Sequence, residues 1–139
     1  MHASIRLVVA LVVVALGAAG AVAATAAHRT AAHSGPAYLT AGGYRVHVSV
    51  TPNRSTALNT TTVVLTRDGH VVSGAHVTLT TTMLDMPMPG LTRRLHYAAG
   101  RYAYASTVLG MAGRWQLRVA VVPAHGAPFS VAVVDHVAS

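Results

Sequence analysis

The stretch RWQLRVAV, residues 114–121, alternates large apolar side chains with polar or small ones and decides the fold class. Trp115, Leu117, Val119 and Val121 fall on one side of an extended chain, because successive side chains of a β-strand point to opposite faces. This period of two predicts a strand that is buried on one face. The single tryptophan, Trp115, is expected to pack in a core between two sheets.

The same alternation recurs on both sides of this strand. It occurs over residues 44–50, 60–67, 75–81, 100–106 and 129–133, with a weaker strand over residues 91–97. Turn residues such as Asp68-Gly69 separate the strands, and no segment after residue 43 has the period of an amphipathic helix. The sequence therefore predicts an all-β domain over residues 43–139, an immunoglobulin-like antiparallel β-sandwich of about seven strands.

A hydrophobic helix is predicted to precede this domain. Residues 7–24 carry no charge and follow Arg6, and as a helix they would span ~27 Å, close to the hydrocarbon thickness of a bilayer. Because small residues around Ala21 and Ala24 also fit a signal-peptidase site, residues 1–24 are either a retained signal anchor, which we favour for its length, or a cleaved signal peptide. Both alternatives export the rest of the chain, on the outer face of the cytoplasmic membrane or as a secreted protein. The small and polar residues 25–42 are predicted to be a flexible linker.

The amino-acid composition limits the kinds of partner that the chain can be expected to bind. The chain has ten basic residues, all arginine, three acidic residues, no cysteine and a formal charge of +7. Nucleic acid is not expected as a partner, because the arginines are scattered and the domain is exported. The arginines are interpreted as solvated strand positions, and the alternative is that their charge faces anionic headgroups or acidic partners. Without disulfides, the fold must depend on its apolar core.

No enzyme is predicted. The only carboxylates belong to Asp68, Asp85 and Asp135, and Asp68 is already explained by its turn. No cysteine nucleophile, no serine in a G-x-S-x-G turn and no phosphate-binding glycine loop is present. We therefore expect a binding domain that takes no small-molecule substrate.

The methionines are the strongest hint of chemistry. Apart from Met1, all lie in Met83-Leu-Asp-Met86-Pro-Met88-Pro-Gly90 or in Gly110-Met111-Ala-Gly113-Arg-Trp115. Thioether sulfur suits Cu(I), and it replaces thiols where these would be oxidised. The alternative is that these flexible side chains fill irregular space at the end of the sandwich. The candidate ligands are Met83, Met86, Met88, Met111 and one imidazole from His76, His96 or His125, with His96 as the selected candidate.

Several short motifs occur in a fixed order. They are Asn59, Asp68-Gly69, Gly74-Ala75-x-Val77, Met83-x-x-Met86-x-Met88, Gly100-x-Tyr102 and Met111-x-Gly113-x-Trp115. In this order and spacing the chain resembles the YtkA-like domain family, a family similar to the exported domain of FixH proteins and to domains of CopC/CopD-type copper-transport proteins. The resemblance implies a small β-sandwich, tethered or secreted, that is associated with copper handling or oxidase assembly. Leu91 stands where the family often has a further methionine after the Pro-Gly step, so one soft ligand is missing.

Two functions of different classes remain open. The first is a metal-binding module that accepts or passes Cu(I) at the outer face of the membrane. The second is an interaction module without a metal, whose methionine loop docks a copper-transport or oxidase-assembly membrane protein.

Overall fold

A computed structural model of the chain describes residues 29–32 and 36–139. Within these residues the protein is built of strands without any helix, which confirms the all-β prediction. The predicted N-terminal helix, residues 1–24, lies outside the described residues. The strands are β1 (Arg29–Ala32), β2 (Ala37–Ala41), β3 (Tyr44–Thr51), β4 (Asn59–Arg67), β5 (His70–Val71), β6 (His76–Met83), β7 (Leu91–Arg94), β8 (His96–Ala98), β9 (Arg101–Ser106), β10 (Gly113–Val122) and β11 (Phe129–Val137).

The strands form two sheets that pack as a β-sandwich. Sheet A has the order β1-β11-β10-β6-β7, and sheet B has the order β2-β3-β4-β9-β8 with β5 added beside β4. Every neighbouring pair is antiparallel except β1 and β11, which run parallel. No helix that could cross a membrane is found in residues 29–32 and 36–139. The likeness to immunoglobulin domains stays a prediction.

The core lies between the sheets and comes from the alternating apolar positions. Trp115 is 4% exposed, which confirms its predicted place in the core. Alternate residues of the central strands are buried in the same way. Burial of apolar surface stabilises the fold by roughly 25 cal/mol per Å². The core residues of these strands include Val46 and Val48 in β3, Val63 and Leu65 in β4, Val77 and Leu79 in β6, Leu117, Val119 and Val121 in β10, and Val131 and Val133 in β11.

The described residues form eleven strands, more than the seven or so that the sequence predicts. Part of the difference lies in residues 91–97, predicted as one strand. β7 pairs with β6 in sheet A, whereas β8 pairs with β9 in sheet B. Leu95 lies where the chain passes between the sheets. It is buried, and its N–H donates to the Val77 carbonyl at 2.9 Å. A change of sheet leaves no mark in a pattern of alternation, because residues on both sides stay extended.

The start of the sandwich also differs from the prediction. β1 and β2 lie within residues 25–42, which the sequence predicts to be a flexible linker. β2 pairs with β3 from Ala37 to Ala41, and both of these alanines are buried. Alanine has little strand preference of its own, so the pairing with β3 decides the conformation at both ends of β2.

Three hairpins turn through two residues with positive φ, as type I′ turns require. Their central residues are Gly42-Gly43, Asp68-Gly69 and Ala99-Gly100. The predicted turn at Asp68-Gly69 is thus confirmed. Ala99 adopts a φ of 49°, where its Cβ is crowded by the backbone.

Tyr102 ties the two sheets together at the connection from β5 to β6. Its hydroxyl donates to the Val72 carbonyl at 3.0 Å and accepts from the Ala75 N–H at 3.1 Å. The side chain is 1% exposed, and its burial raises the pKa of the hydroxyl above the usual 10.0. A tyrosine of sheet B therefore holds the segment that crosses to sheet A.

We expect Tyr102→Phe to lower the free energy of unfolding by about 1–3 kcal/mol, because it leaves a backbone N–H and a carbonyl without their partner. Urea denaturation measures the change. Tyr104→Phe, on the same strand, is the control and should change stability by less than about 0.5 kcal/mol. In the wild type, stability should also fall as the pH rises above about 10, since the unfolded chain loses the Tyr102 proton first; Tyr102→Phe should weaken that fall. Equal losses in the two variants would contradict this role of Tyr102.

We expect Ala99→Asn to raise the free energy of unfolding by about 0.5–1 kcal/mol, because asparagine tolerates positive φ better than alanine does. The urea midpoint is the measurement. Ala124→Asn, at an exposed loop position, serves as the control for the added amide. A gain at position 124 as large as at position 99 would show that backbone conformation is not the cause.

Candidate functional site

The pairing of β6 with β10 brings the two methionine motifs to one end of the sandwich. Met83 is the register partner of Trp115, and beyond them the Leu84 N–H donates to the Arg114 carbonyl at 2.9 Å. The loop after β6 and the loop before β10 therefore meet. We call residues 83–90 and 110–115 the methionine end.

An ion pair clamps the two motifs together. Asp85 Oδ2 accepts the Arg114 N–H at 2.7 Å, and Asp85 Oδ1 lies 2.8 Å from Arg114 Nε and 2.7 Å from Arg114 Nη2. The backbone N–H and the guanidinium of Arg114 hold the pKa of the Asp85 carboxyl below its usual 3.8. One carboxylate thus satisfies three donors of a residue next to Trp115.

Gly113 allows this close approach. Its φ is +134°, and a Cβ at this position would lie 2.8 Å from Asp85 Oδ2 and 3.2 Å from Met83 Cε. Any side chain would therefore displace the carboxylate from Arg114. This explains on physical grounds why glycine stands between Met111 and Trp115.

Two of the four candidate methionines line one cavity. Met83 and Met88 border a cavity of about 220 Å³ at this end, whose wall also contains Pro89, Val108 and Trp115. The Trp115 indole is fixed by donating from Nε1 to the Met111 carbonyl at 2.9 Å. Two thioethers thus share an apolar cavity whose tryptophan wall is held by the second motif.

Met86 and Met111 belong to the same end but do not line this cavity. Both side chains are exposed, whereas Met83 is buried. The methionine end therefore presents one buried thioether and three accessible ones, counting Met88. Soft donors at a solvent boundary suit the capture of Cu(I), and flexible apolar side chains there suit docking equally well.

The structure does not bring His96 to the methionines. β6 runs from His76 to Met83, a distance of about 23 Å for a strand of this length. His76 pairs with Val122, and Arg94, two residues before His96, pairs with Thr78, so His76 and His96 lie towards the end away from Met83. His125 follows Val122 in the loop to β11 and lies at that far end as well.

His136 is the imidazole that the register places at the methionine end. It is exposed on β11 as the partner of Arg114, and its charge helps to lower the pKa of Asp85. It is not among the predicted ligands, because nothing in the sequence links it to the methionine motifs. Asp85 and Arg114 were also missed as a pair. One signal in the sequence could have indicated this pair. One motif contains an acidic residue and the other a basic residue, although the chain has three acidic residues in all.

In the part of the chain that the structure describes, no three His, Cys, Asp or Glu side chains form a group that could hold a metal ion. That finding does not apply to the methionine thioethers, which are not among these side chains.

We expect Asp85→Asn to loosen the contact between the two motifs. Hydrogen exchange of the Arg114 amide, which donates to Asp85 in the wild type, should become several-fold faster in the variant, while the Leu117 amide of the same strand stays unchanged. The wild type should show the same loosening in acid. Because the folded-state pKa of Asp85 lies below 3.8, the ion pair stabilises the loops above that pH and is lost as the pH falls through the lower value. An Arg114 amide that exchanges equally fast in both proteins would contradict the clamp.

A model of the YtkA-like family matches residues 38–120, from the second residue of β2 to near the end of β10. The match includes both methionine motifs, Asp85 and Arg114. No curated protein and no solved structure matches the chain. Since the matched residues make up more than half of the sequence, this chain belongs to the YtkA-like family.

Proposed function

We propose that this protein is a non-catalytic, extracytoplasmic domain that binds Cu(I) at its methionine end. Met83 and Met88 would supply the first two sulfur donors from the shared cavity, with Met86 or Met111 completing the coordination from the exposed side. Two to four thioethers suit Cu(I) and discriminate against hard ions such as Mg²⁺ and Ca²⁺. A domain of this kind accepts or passes the ion and performs no reaction on it.

The observation that carries the proposal is the Asp85–Arg114 clamp. Two motifs that are far apart in sequence each carry methionine, and three charge-assisted hydrogen bonds hold them against each other. If the methionines only filled space at the end of the sandwich, apolar volume would be enough and the loops would not need an ion pair between them. Preorganisation of the loops lowers the entropic cost of gathering several ligands around one ion.

The place of action follows from the amino-terminal sequence. Residues 7–24 would tether the domain to the cytoplasmic membrane or direct its secretion, and in both cases the methionines would work outside the cytoplasm. Thiols are readily oxidised there, so thioethers are the more durable soft ligands. The partner would be a copper-transport or oxidase-assembly membrane protein.

A second function is favoured by a separate observation. Leu84, Met86, Met88 and Met111 are exposed by 41%, 42%, 41% and 36% respectively, so the methionine end presents a group of apolar side chains to solvent. Surfaces of this composition adapt to partners of varied shape. The same end could therefore dock a membrane protein without binding a metal.

The two functions separate in an anaerobic Cu(I) titration against a competing chelator. We expect the wild type to compete and the variant with Met83, Met86, Met88 and Met111 all changed to leucine to lose at least about tenfold in affinity, because leucine keeps the volume but removes the sulfur. Circular dichroism and the urea midpoint check that the variant keeps its fold. Failure of the wild type to compete would exclude the copper site and leave docking as the function.

Two histidine variants, measured in the same titration, test whether an imidazole contributes to Cu(I) binding. His96→Asn should leave Cu(I) affinity unchanged, since His96 lies towards the far end of the sandwich. His136→Asn tests the imidazole nearest the clamp, and a loss in this variant alone would add His136 to the ligands. A loss in His96→Asn equal to that of the methionine variant would contradict the location of the site.

A further inference from the structure

A cluster of basic side chains occupies the other end of the sandwich. His76 at the start of β6, Arg94 at the end of β7 and His96 at the start of β8 line a cavity of about 470 Å³. All three side chains are exposed, and Tyr97 and Tyr102 form aromatic parts of the wall. The cluster lies where the chain passes from sheet A to sheet B, on strands whose positions the core fixes.

Arg94 determines the protonation pattern of His76. Arg94 Nη2 lies 2.6 Å from His76 Nδ1, and because a guanidinium can only donate, the imidazole nitrogen must accept. A neutral His76 then carries its proton on Nε2. The pair thus offers the remaining guanidinium N–H groups and one imidazole N–H as donors.

Among the described residues, no aspartate forms an ion pair or a hydrogen bond with His76, Arg94 or His96. Asp68 lies 4.0 Å from Arg67, Asp85 is held by Arg114, and Asp135 is buried and accepts from Asn53. In the described part of the chain, the side chain to which Arg94 is hydrogen-bonded is that of His76. A guanidinium and two imidazoles that line one cavity without a paired carboxylate can bind an external anion.

The same geometry disfavours a metal ion. A cation bound by His76 and His96 would lie beside the Arg94 guanidinium, and His76 Nδ1 already accepts a hydrogen bond. Planar donors of arginine instead match the oxygens of a phosphate, which they bind through two parallel hydrogen bonds.

We propose that the cavity formed by His76, Arg94 and His96 is a binding site for a phosphate group. Arg94 is the main ligand, His76 Nε2 and the His96 ring donate beside it, and Tyr97 flanks the ligand. The phosphate could come from an anionic lipid headgroup or from free phosphate. The site lies away from the methionine end and is independent of copper binding.

The test is an NMR titration of the full chain, labelled with ¹⁵N and held in neutral maltoside micelles. The probes are sodium phosphate, dihexanoyl phosphatidylglycerol and, as a zwitterionic control, dihexanoyl phosphatidylcholine. We expect saturable shifts of the amides of residues 94–97 with at least one of the two anionic probes, while the Arg114 amide stays unshifted. A tighter response to phosphatidylglycerol identifies a lipid headgroup as the ligand, and an equal or tighter response to sodium phosphate identifies free phosphate.

Matched variants separate a site from a general effect of charge. Arg94→Gln should weaken binding at least about tenfold, whereas Arg93→Gln, which removes the same charge from the neighbouring position, should change it less than about twofold. His96→Gln gives a second variant at the site should Arg94→Gln fail to fold. Equal losses at positions 93 and 94, or no saturable shift with either anionic probe, would overturn the proposal.

Discussion

The pairing of β6 with β10 is the contact on which the rest of the molecule depends. Its register sets Met83 opposite Trp115 and Val119 opposite Leu79, so that both strands present their apolar faces to sheet B. A slip by one residue would turn Trp115 and every core valine of β10 towards water. With no cysteine in the chain, no disulfide fixes the register, which is maintained by core burial, the ladder of hydrogen bonds and the Asp85–Arg114 ion pair. The same register brings the two methionine motifs together, so fold and candidate site share one cause.

The antiparallel arrangement gives the sandwich two chemically different ends. The loops at one end carry soft thioethers and an Asp–Arg ion pair, and the other end carries His76, Arg94 and His96, none of which is paired with an aspartate. At the basic end the chain passes between the sheets at Leu95, and Tyr102 holds the separate crossing from β5 to β6. If both proposals hold, one end handles a soft cation and the other an anion, and about 23 Å of strand keeps them apart. Over such a distance the charges of the two ligands are largely screened from each other, so each could bind with little influence from the other.

The candidate site shows how far the sequence leads and where it stops. The confinement of methionine to two motifs is visible in the sequence, and a sandwich was the right architecture to join them. The imidazole was not predictable in the same way. His96 is close to Met88 in sequence, yet β7 runs back along β6 and carries it away, whereas His136 reaches the methionine end from the last strand. Distance along the chain is a poor guide between antiparallel strands, because their register and direction decide which residues meet.

By itself, the sequence determined what is local. Period-two alternation specified the main strands and their buried faces, Trp115 included, and Asp68-Gly69 specified a turn because few residues tolerate positive φ. Only the tertiary structure decided which sheet each strand joins, that residues 91–97 divide between the two sheets, and that β1 and β2 extend the sandwich into residues 25–42. It also decided that Asp85 meets Arg114 and that Arg94 meets His76. These contacts join residues distant in sequence, and they arise from burial of the whole core, which no short pattern contains.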